Sequence, residues 1–229
     1  APHQPAQAPE QLLEKYRKRG FFGRKLGQAG AIEAMDGAIG RVLNTIEEEG
    51  MTKETLVMFF CDNGSGGFGR RGSSVLPGQL ALRGGKGTVY EGGIRVPAVL
   101  RWPEVISPGT KCDQLISAQD LFPTFSAAAG IKPANQKLFD GVNLWPSIVE
   151  NKPMKRSPVI VGGSSGEFAV LHGKWKLIWS RQQISLFDLK EDPIEAQDIS
   201  VQHPLMVAEL ADALASVLTS PSKLDRHGQ

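Results

Sequence analysis

Between Thr55 and Phe60 the chain reads TLVMFF, a run too short for a helix and too continuously apolar for a half-exposed strand. It predicts a strand buried on both faces, as in a sheet with covering layers above and below. Cys61, Asp62, Asn63 and Gly64 follow at once. From there to Arg95 glycine is plentiful and regular structure scarce. A loop of that length inside a compact domain is usually functional. An acid and an amide at a strand end, opening into glycines, leave four readings: a dinucleotide site, a phosphate loop, a metal site or an ordinary turn.

The flanking sequence places this strand in an α/β arrangement. Residues 10–19 predict a short helix. Residues 28–49 predict a longer one, in which Ile32, Met35, Ile39, Val42, Leu43 and Ile46 recur at helical spacing as one buried stripe, with Gly50 as C-cap. VPAVLRWP (96–103) restores a buried strand. Ser117 and Asp120 have capping-box spacing, with Asp in place of Glu, and open a helix running to Gly130. Residues 131–158, rich in Pro, Asn and Lys, read as a connection. Short strands then follow in PVIV, FAVLHGKWKLIWS (with a tight turn near Gly173) and ISLFDL. A final amphipathic helix at about 204–218 carries Met206, Leu210, Leu214 and Val217. The pattern is the end of an α/β sheet followed by a small antiparallel β-plus-helix unit.

The 229 residues suffice for one sizeable domain or one and a half. A net charge of +2, evenly spread, points to neither nucleic acid nor a membrane surface. The one dense basic run, EKYRKRGFFGRK (14–25), is read as a solvated helix end and loop. Cys61 and Cys112 make neither a disulfide framework nor a C-x-x-C metal spacing. No apolar stretch approaches the roughly 18 residues of a membrane span. No signal peptide opens the chain; APHQPAQAPE lacks an initiator Met and reads like the middle of a longer sequence.

Gly64-Ser-Gly-Gly-Phe-Gly69 matches G-x-G-x-x-G after a strand, but the fingerprint needs a helix at those glycines, and RRGSSVLPG prevents one. LRGGKGT (82–88) resembles a phosphate loop, yet lacks the earlier Gly and follows its Lys with Gly instead of Ser or Thr. GGSSG (162–166) matches G-x-S-x-G, with Asp188 and His203 downstream in the hydrolase order. That elbow needs a helix directly after Ser164, whereas EFAVLHGKWKLIWS alternates like a strand pair with Trp175, Leu177 and Trp179 on one face. A Gly-Ser turn between strands is the preferred reading. Asp62 and Asn63 remain as a metal site, a carboxylate and an amide oxygen suited to a hard cation such as Ca²⁺ or Mg²⁺. Alone, Asp-Asn-Gly is also a turn sequence.

Further segments agree with the metal reading. RGGKGTVYEGGIRVP sets Lys86 on a glycine-rich segment, HQPAQAPE sets His3 in a Pro-bracketed extended stretch, and AIEAMDGAIGRVLNTIEEEG precedes the metal-bearing strand. In this order, and continuing through SAQDLFPTFSAAAG, GKWKLIW and LFDLKEDPIEAQDIS, the chain resembles the C-terminal half of a type I sulfatase of the alkaline phosphatase superfamily. The resemblance implies an α/β fold. Residues 1–150 would be the C-terminal portion of a mixed-sheet catalytic sandwich, and residues 151–229 a small antiparallel subdomain with a C-terminal helix. It implies a sulfuric ester hydrolase acting on aryl or carbohydrate sulfates with Ca²⁺ and a formylglycine hydrate that attacks sulfur. It places Asp62 and Asn63 among the metal ligands, Lys86 on the sulfate and leaving-group side, and His3 as the group that hydrogen-bonds sulfate or protonates the leaving oxygen. Tyr90 and Glu91 fall where the family often has Trp-Glu and are read as supporting the loop; Arg83 and Arg95 are left as ion-pair or anchoring residues. A periplasmic or secreted location is implied by family alone.

The departures are as informative. Neither cysteine nor any serine opens the C-x-P-x-R or S-x-P-x-R motif that yields formylglycine, and nothing before His3 supplies the family's paired acids. The expectation is therefore half a metal site and no nucleophile, with activity requiring an N-terminal portion. Three alternatives stand beside it: a noncatalytic anion-binding protein derived from a sulfatase, a serine hydrolase using Ser164, Asp188 and His203, and a phosphate or phosphonate ester hydrolase of the same superfamily.

Overall fold

The protein is described from a computed structural model at residues 3, 5–64, 82–132 and 139–220. Ser65 to Gly69 of the glycine-rich fingerprint, and the loop as far as residue 81, lie outside the described residues. The chain divides into two compact units, Ala1–Val57 with Arg101–Val105, and Met58–Leu100 with Ile106–Gln229.

In the first unit, α1 (Glu10–Lys18) packs on α2 (Gly23–Glu48). The basic run is a solvated face here: Lys15 pairs with Glu33, Arg17 with Glu10 and Lys18 with Glu14. Trp102 Nε1 donates to Lys53 O at 2.6 Å, and Lys53 pairs with Glu104. Helix α2 starts five residues earlier than its periodicity predicts. Its apolar stripe is also not buried as expected. Ile32 and Val42 are exposed, Met35, Ile39, Leu43 and Ile46 are half-buried, and only Gly30 and Ala31 are buried. Helical spacing selects the apolar face, but nothing among the described residues of this unit covers it along its length.

The second unit is built around a four-stranded antiparallel sheet of β3 (Val159–Gly162), β4 (Phe168–His172), β5 (Trp175–Trp179) and β6 (Ile184–Asp188), in sequential order. Register pairs Val170 with Leu177 and Leu177 with Leu186, so these three side chains share one face. They pack with Leu210 and Leu214 of α6 (Pro204–Thr219), flanked by Trp175 and Trp179 as the alternation predicts. The opposite face, Ala169, Leu171, Ile178 and Phe187, packs on Val89, Tyr90 and Ile94. The segment that follows Lys86 is therefore one of the sheet's two covering layers.

Ser117 and Asp120 form the expected capping box, but it opens a 3-10 turn (Ala118–Asp120) before α4 (Leu121–Ala128). Asp120 is fully buried, pairs with Arg156 and accepts the backbone N–H of Val142 at 2.9 Å. The connection predicted over 131–158 contains a helix, α5 (Trp145–Glu150), with proline in its first turn. β1 (Val57–Phe60) and β2 (Ala98–Arg101) form a two-stranded sheet. The expectation that TLVMFF is buried on both faces is not met: β1 is half-buried and Phe60 and Val99 are exposed. Only β2 pairs with it among the described residues.

Candidate functional site

Asp62 and Asn63 lie in the turn directly after β1. Asn63 donates its amide N–H to Gly64 O at 2.8 Å, which leaves its carbonyl oxygen as the atom available to a cation. Asp62 is exposed and its carboxylate has no hydrogen-bond partner among the described residues. Gly64 N donates to Gly93 O at 2.8 Å. A Cβ on Gly64 would stand 2.0 Å from Gly92 O, so only glycine permits this approach.

Lys86 projects from a second turn. Thr88 N donates to Gly85 O at 3.0 Å, and the Thr88 hydroxyl bridges back to both backbone groups of Gly85. Lys86 and Gly87 are the tip of that turn, and the Lys86 side chain is exposed. Gly92 N donates to Arg83 O at 2.7 Å, and a Cβ on Gly93 would meet Thr88 O at 2.2 Å. The Asp62–Asn63 turn and the Lys86 turn thus pack against the same two residues, Gly92 and Gly93, at the start of α3 (Glu91–Ile94).

That glycine pair is held from below by a buried charge cluster. Lys176 Nζ of β5 lies 2.8 Å from Glu91 Oε1 and 2.8 Å from Glu195 Oε1, and Lys176 and Glu195 are fully buried. Glu195 Oε2 accepts the Glu91 backbone N–H at 2.8 Å. Arg83 donates to Glu195 O at 2.8 Å and stacks 4.1 Å over the Tyr90 ring, while Arg95 pairs with Glu91 at 3.6 Å. Arg83, Arg95, Tyr90 and Glu91 anchor the loop. Burial pushes the Glu195 carboxyl up, against the pull of Lys176. Sequence reasoning missed Lys176 and Glu195, whose alternation in β5 and place after ISLFDL carry no local sign of a buried ion pair.

His3 is exposed and belongs to the first unit, whereas Asp62, Asn63 and Lys86 belong to the second. Ser164, Asp188 and His203 do not form a triad. Ser164 sits in the turn between β3 and β4, so a strand follows it where the elbow needs a helix. Asp188 pairs with Lys174, whose hydrogen bond holds its carboxyl below the usual range, and His203 stacks on Trp175 at 4.9 Å. Among the described residues no group of three or more His, Cys, Asp or Glu side chains is placed to hold a metal. Cys61 and Cys112 are free thiols. No helix among the described residues is long and apolar enough to cross a membrane.

Comparison with known proteins gives this geometry a family. The family model described as Sulfatase matches residues 1–131, and that of the N-sulphoglucosamine sulphohydrolase C-terminal region matches residues 85–222. The chain belongs to the sulfatase family. It corresponds to the C-terminal portion of that family of hydrolases. It is 35% identical over 202 residues to arylsulfatase A of Homo sapiens, covering 84% of this chain and 37% of that protein. To N-acetylgalactosamine-6-sulfatase of Mus musculus it is 33% identical over 168 residues, covering 72% and 32%. The crystal structure of Ps i-CgsB in complex with k-i-k-neocarrahexaose is similar at a TM-score of 0.82 and 28% identity, covering 94% of this chain and 48% of that one. The sulfatase chain described here therefore spans about a third to a half of the length of these relatives.

Proposed function

We propose that this chain is the later part of a sulfuric ester hydrolase and carries one half of its anion and metal site. Residues 1–150 would belong to the catalytic domain and residues 151–229 to its small C-terminal subdomain. The observation that carries the proposal is the pair of turns on Gly92 and Gly93, which sets two oxygen donors and a lysine against one short segment. Names of the similar proteins, an arylsulfatase and an N-acetylgalactosamine-6-sulfatase, support an aryl or carbohydrate sulfate as substrate.

In this reading Asp62 and the Asn63 carbonyl bind Ca²⁺. A site of about six to eight oxygens takes its remaining ligands from paired acids that the chain does not carry. When bound, the cation supplies fixed positive charge against the oxygens of a sulfate ester. Lys86 binds the same sulfate as a point charge on the leaving-group side. His3 hydrogen-bonds sulfate or delivers a proton to the leaving oxygen. The formylglycine nucleophile comes from an N-terminal portion, and the chain alone is expected to turn over no sulfate ester. Export to the periplasm or the cell exterior rests on family membership.

Calcium tests the ligand assignment directly. Added CaCl₂ should raise the Tm of the wild-type chain and leave Asp62→Ala unmoved, with affinity at the weak, roughly millimolar end expected of a half-shell. An equal rise in both would overturn Asp62 as a ligand.

A further inference from the structure

The Lys86 turn poses a physical difficulty. Its lysine stands between Gly84-Gly85 and Gly87, and glycine loses more conformational freedom on ordering than any other residue. Both ends of the segment are anchored, at Arg83 by Glu195 and Tyr90 and at Glu91 by Lys176. Neither anchor reaches the tip. A group that binds an anion productively has to be held to within about half an ångström.

The tip has its own holder, in the small subdomain. Ser164, 77 residues away in sequence, donates its hydroxyl to Gly87 O at 2.8 Å, and its backbone N–H donates to the same oxygen at 2.9 Å. Gly87 has φ +91°, a conformation that glycine alone adopts readily, and Ser164 is the side chain nearest the position its Cβ would take. Two donors on one carbonyl fix the plane of the Gly87–Thr88 peptide, one residue beyond Lys86, and Thr88 closes the turn from the other side.

We infer that Ser164 is a positioning residue for Lys86, acting through the Gly87 carbonyl. The Gly-Ser turn between β3 and β4 is then the point at which the C-terminal sheet sets the direction of the lysine. This rests on the role proposed for Lys86, and the test separates the two.

The experiment compares wild type, Ser164→Ala, Ser164→Thr and Lys86→Ala by amide hydrogen exchange across residues 84–90 and by calorimetric titration with sodium sulfate in CaCl₂. Ser164 is exposed, so neither of its variants threatens the fold, and unchanged Tm controls for that. Loss of one hydrogen bond should loosen the turn, speed exchange of the Thr88 amide that donates to Gly85 O, and weaken sulfate binding by roughly two- to tenfold in Ser164→Ala. Ser164→Thr, which keeps the hydroxyl, should restore both. Exchange at 84–90 identical in wild type and Ser164→Ala would overturn the inference. Sulfate affinity unchanged in Lys86→Ala would instead remove the role of Lys86 in anion binding, leaving the exchange result to decide whether Ser164 holds the turn.

Discussion

Glu195 has no solvent exposure, a backbone at φ 55° that non-glycine residues seldom adopt, and a carboxyl shared between Lys176 and the Glu91 amide. Backbone strain of this kind persists only where surrounding structure over-determines it. Because burial raises its folded-state pKa, Glu195 takes up a proton more readily folded than unfolded. Its contribution to stability is fully present below the ordinary glutamate range and is lost as pH rises through the raised value. Glu195→Gln, which can still accept the Glu91 N–H, should flatten the fall in Tm as pH rises above the ordinary glutamate range; parallel slopes in the two proteins would contradict this. Asp188 works in the opposite direction. The hydrogen bond from Lys174 depresses its pKa, so its contribution is lost as pH falls below the ordinary Asp range.

At the scale of elements, the four-stranded sheet lies between α6 and the segment following Lys86. Leu210 is fully buried where α6 crosses the sheet, and Leu210→Ala should cost about 2–5 kcal/mol in urea unfolding; a loss below about 1 kcal/mol would mean the helix packs loosely. Much of this layer was legible in the sequence. Alternation in FAVLHGKWKLIWS marked both strands and the tryptophan face, and the Ser117–Asp120 spacing marked a cap, because each is a contact within a few residues. The Lys176–Glu91 pair spans 85 residues, and a lone lysine in an alternating strand reads as solvent-facing until register places it. Helix α5 is six residues long inside a proline-rich connection, too short for periodicity to show. Ser164, read as part of a Gly-Ser turn between strands ahead of a nucleophile, sits in that turn, and its bond to Gly87 O, 77 residues away, carries no local sign.

For the molecule as a whole, periodicity and burial disagree in α2 and in both strands of the β1–β2 pair. Ile32, Val42, Phe60 and Val99 are apolar positions that a complete α/β layer would cover. Helical and strand periods report which face is apolar, never what lies against it. The related proteins of which this chain spans about a third to a half are longer. The candidate site follows the same logic: sequence order singled out Asp62, Asn63 and Lys86 as candidates, while the glycine pair that both turns pack against emerged only from their hydrogen bonds. The central claim is that these two turns form one anion and cation site. Its most direct test is a ¹⁵N-labelled chain titrated with sodium sulfate in CaCl₂ and followed by amide chemical shifts. The account predicts the largest changes together at Gly64 and at Gly85 to Thr88, with the 14–25 basic run unmoved. Shifts confined to the basic run, or at one turn without the other, would contradict it.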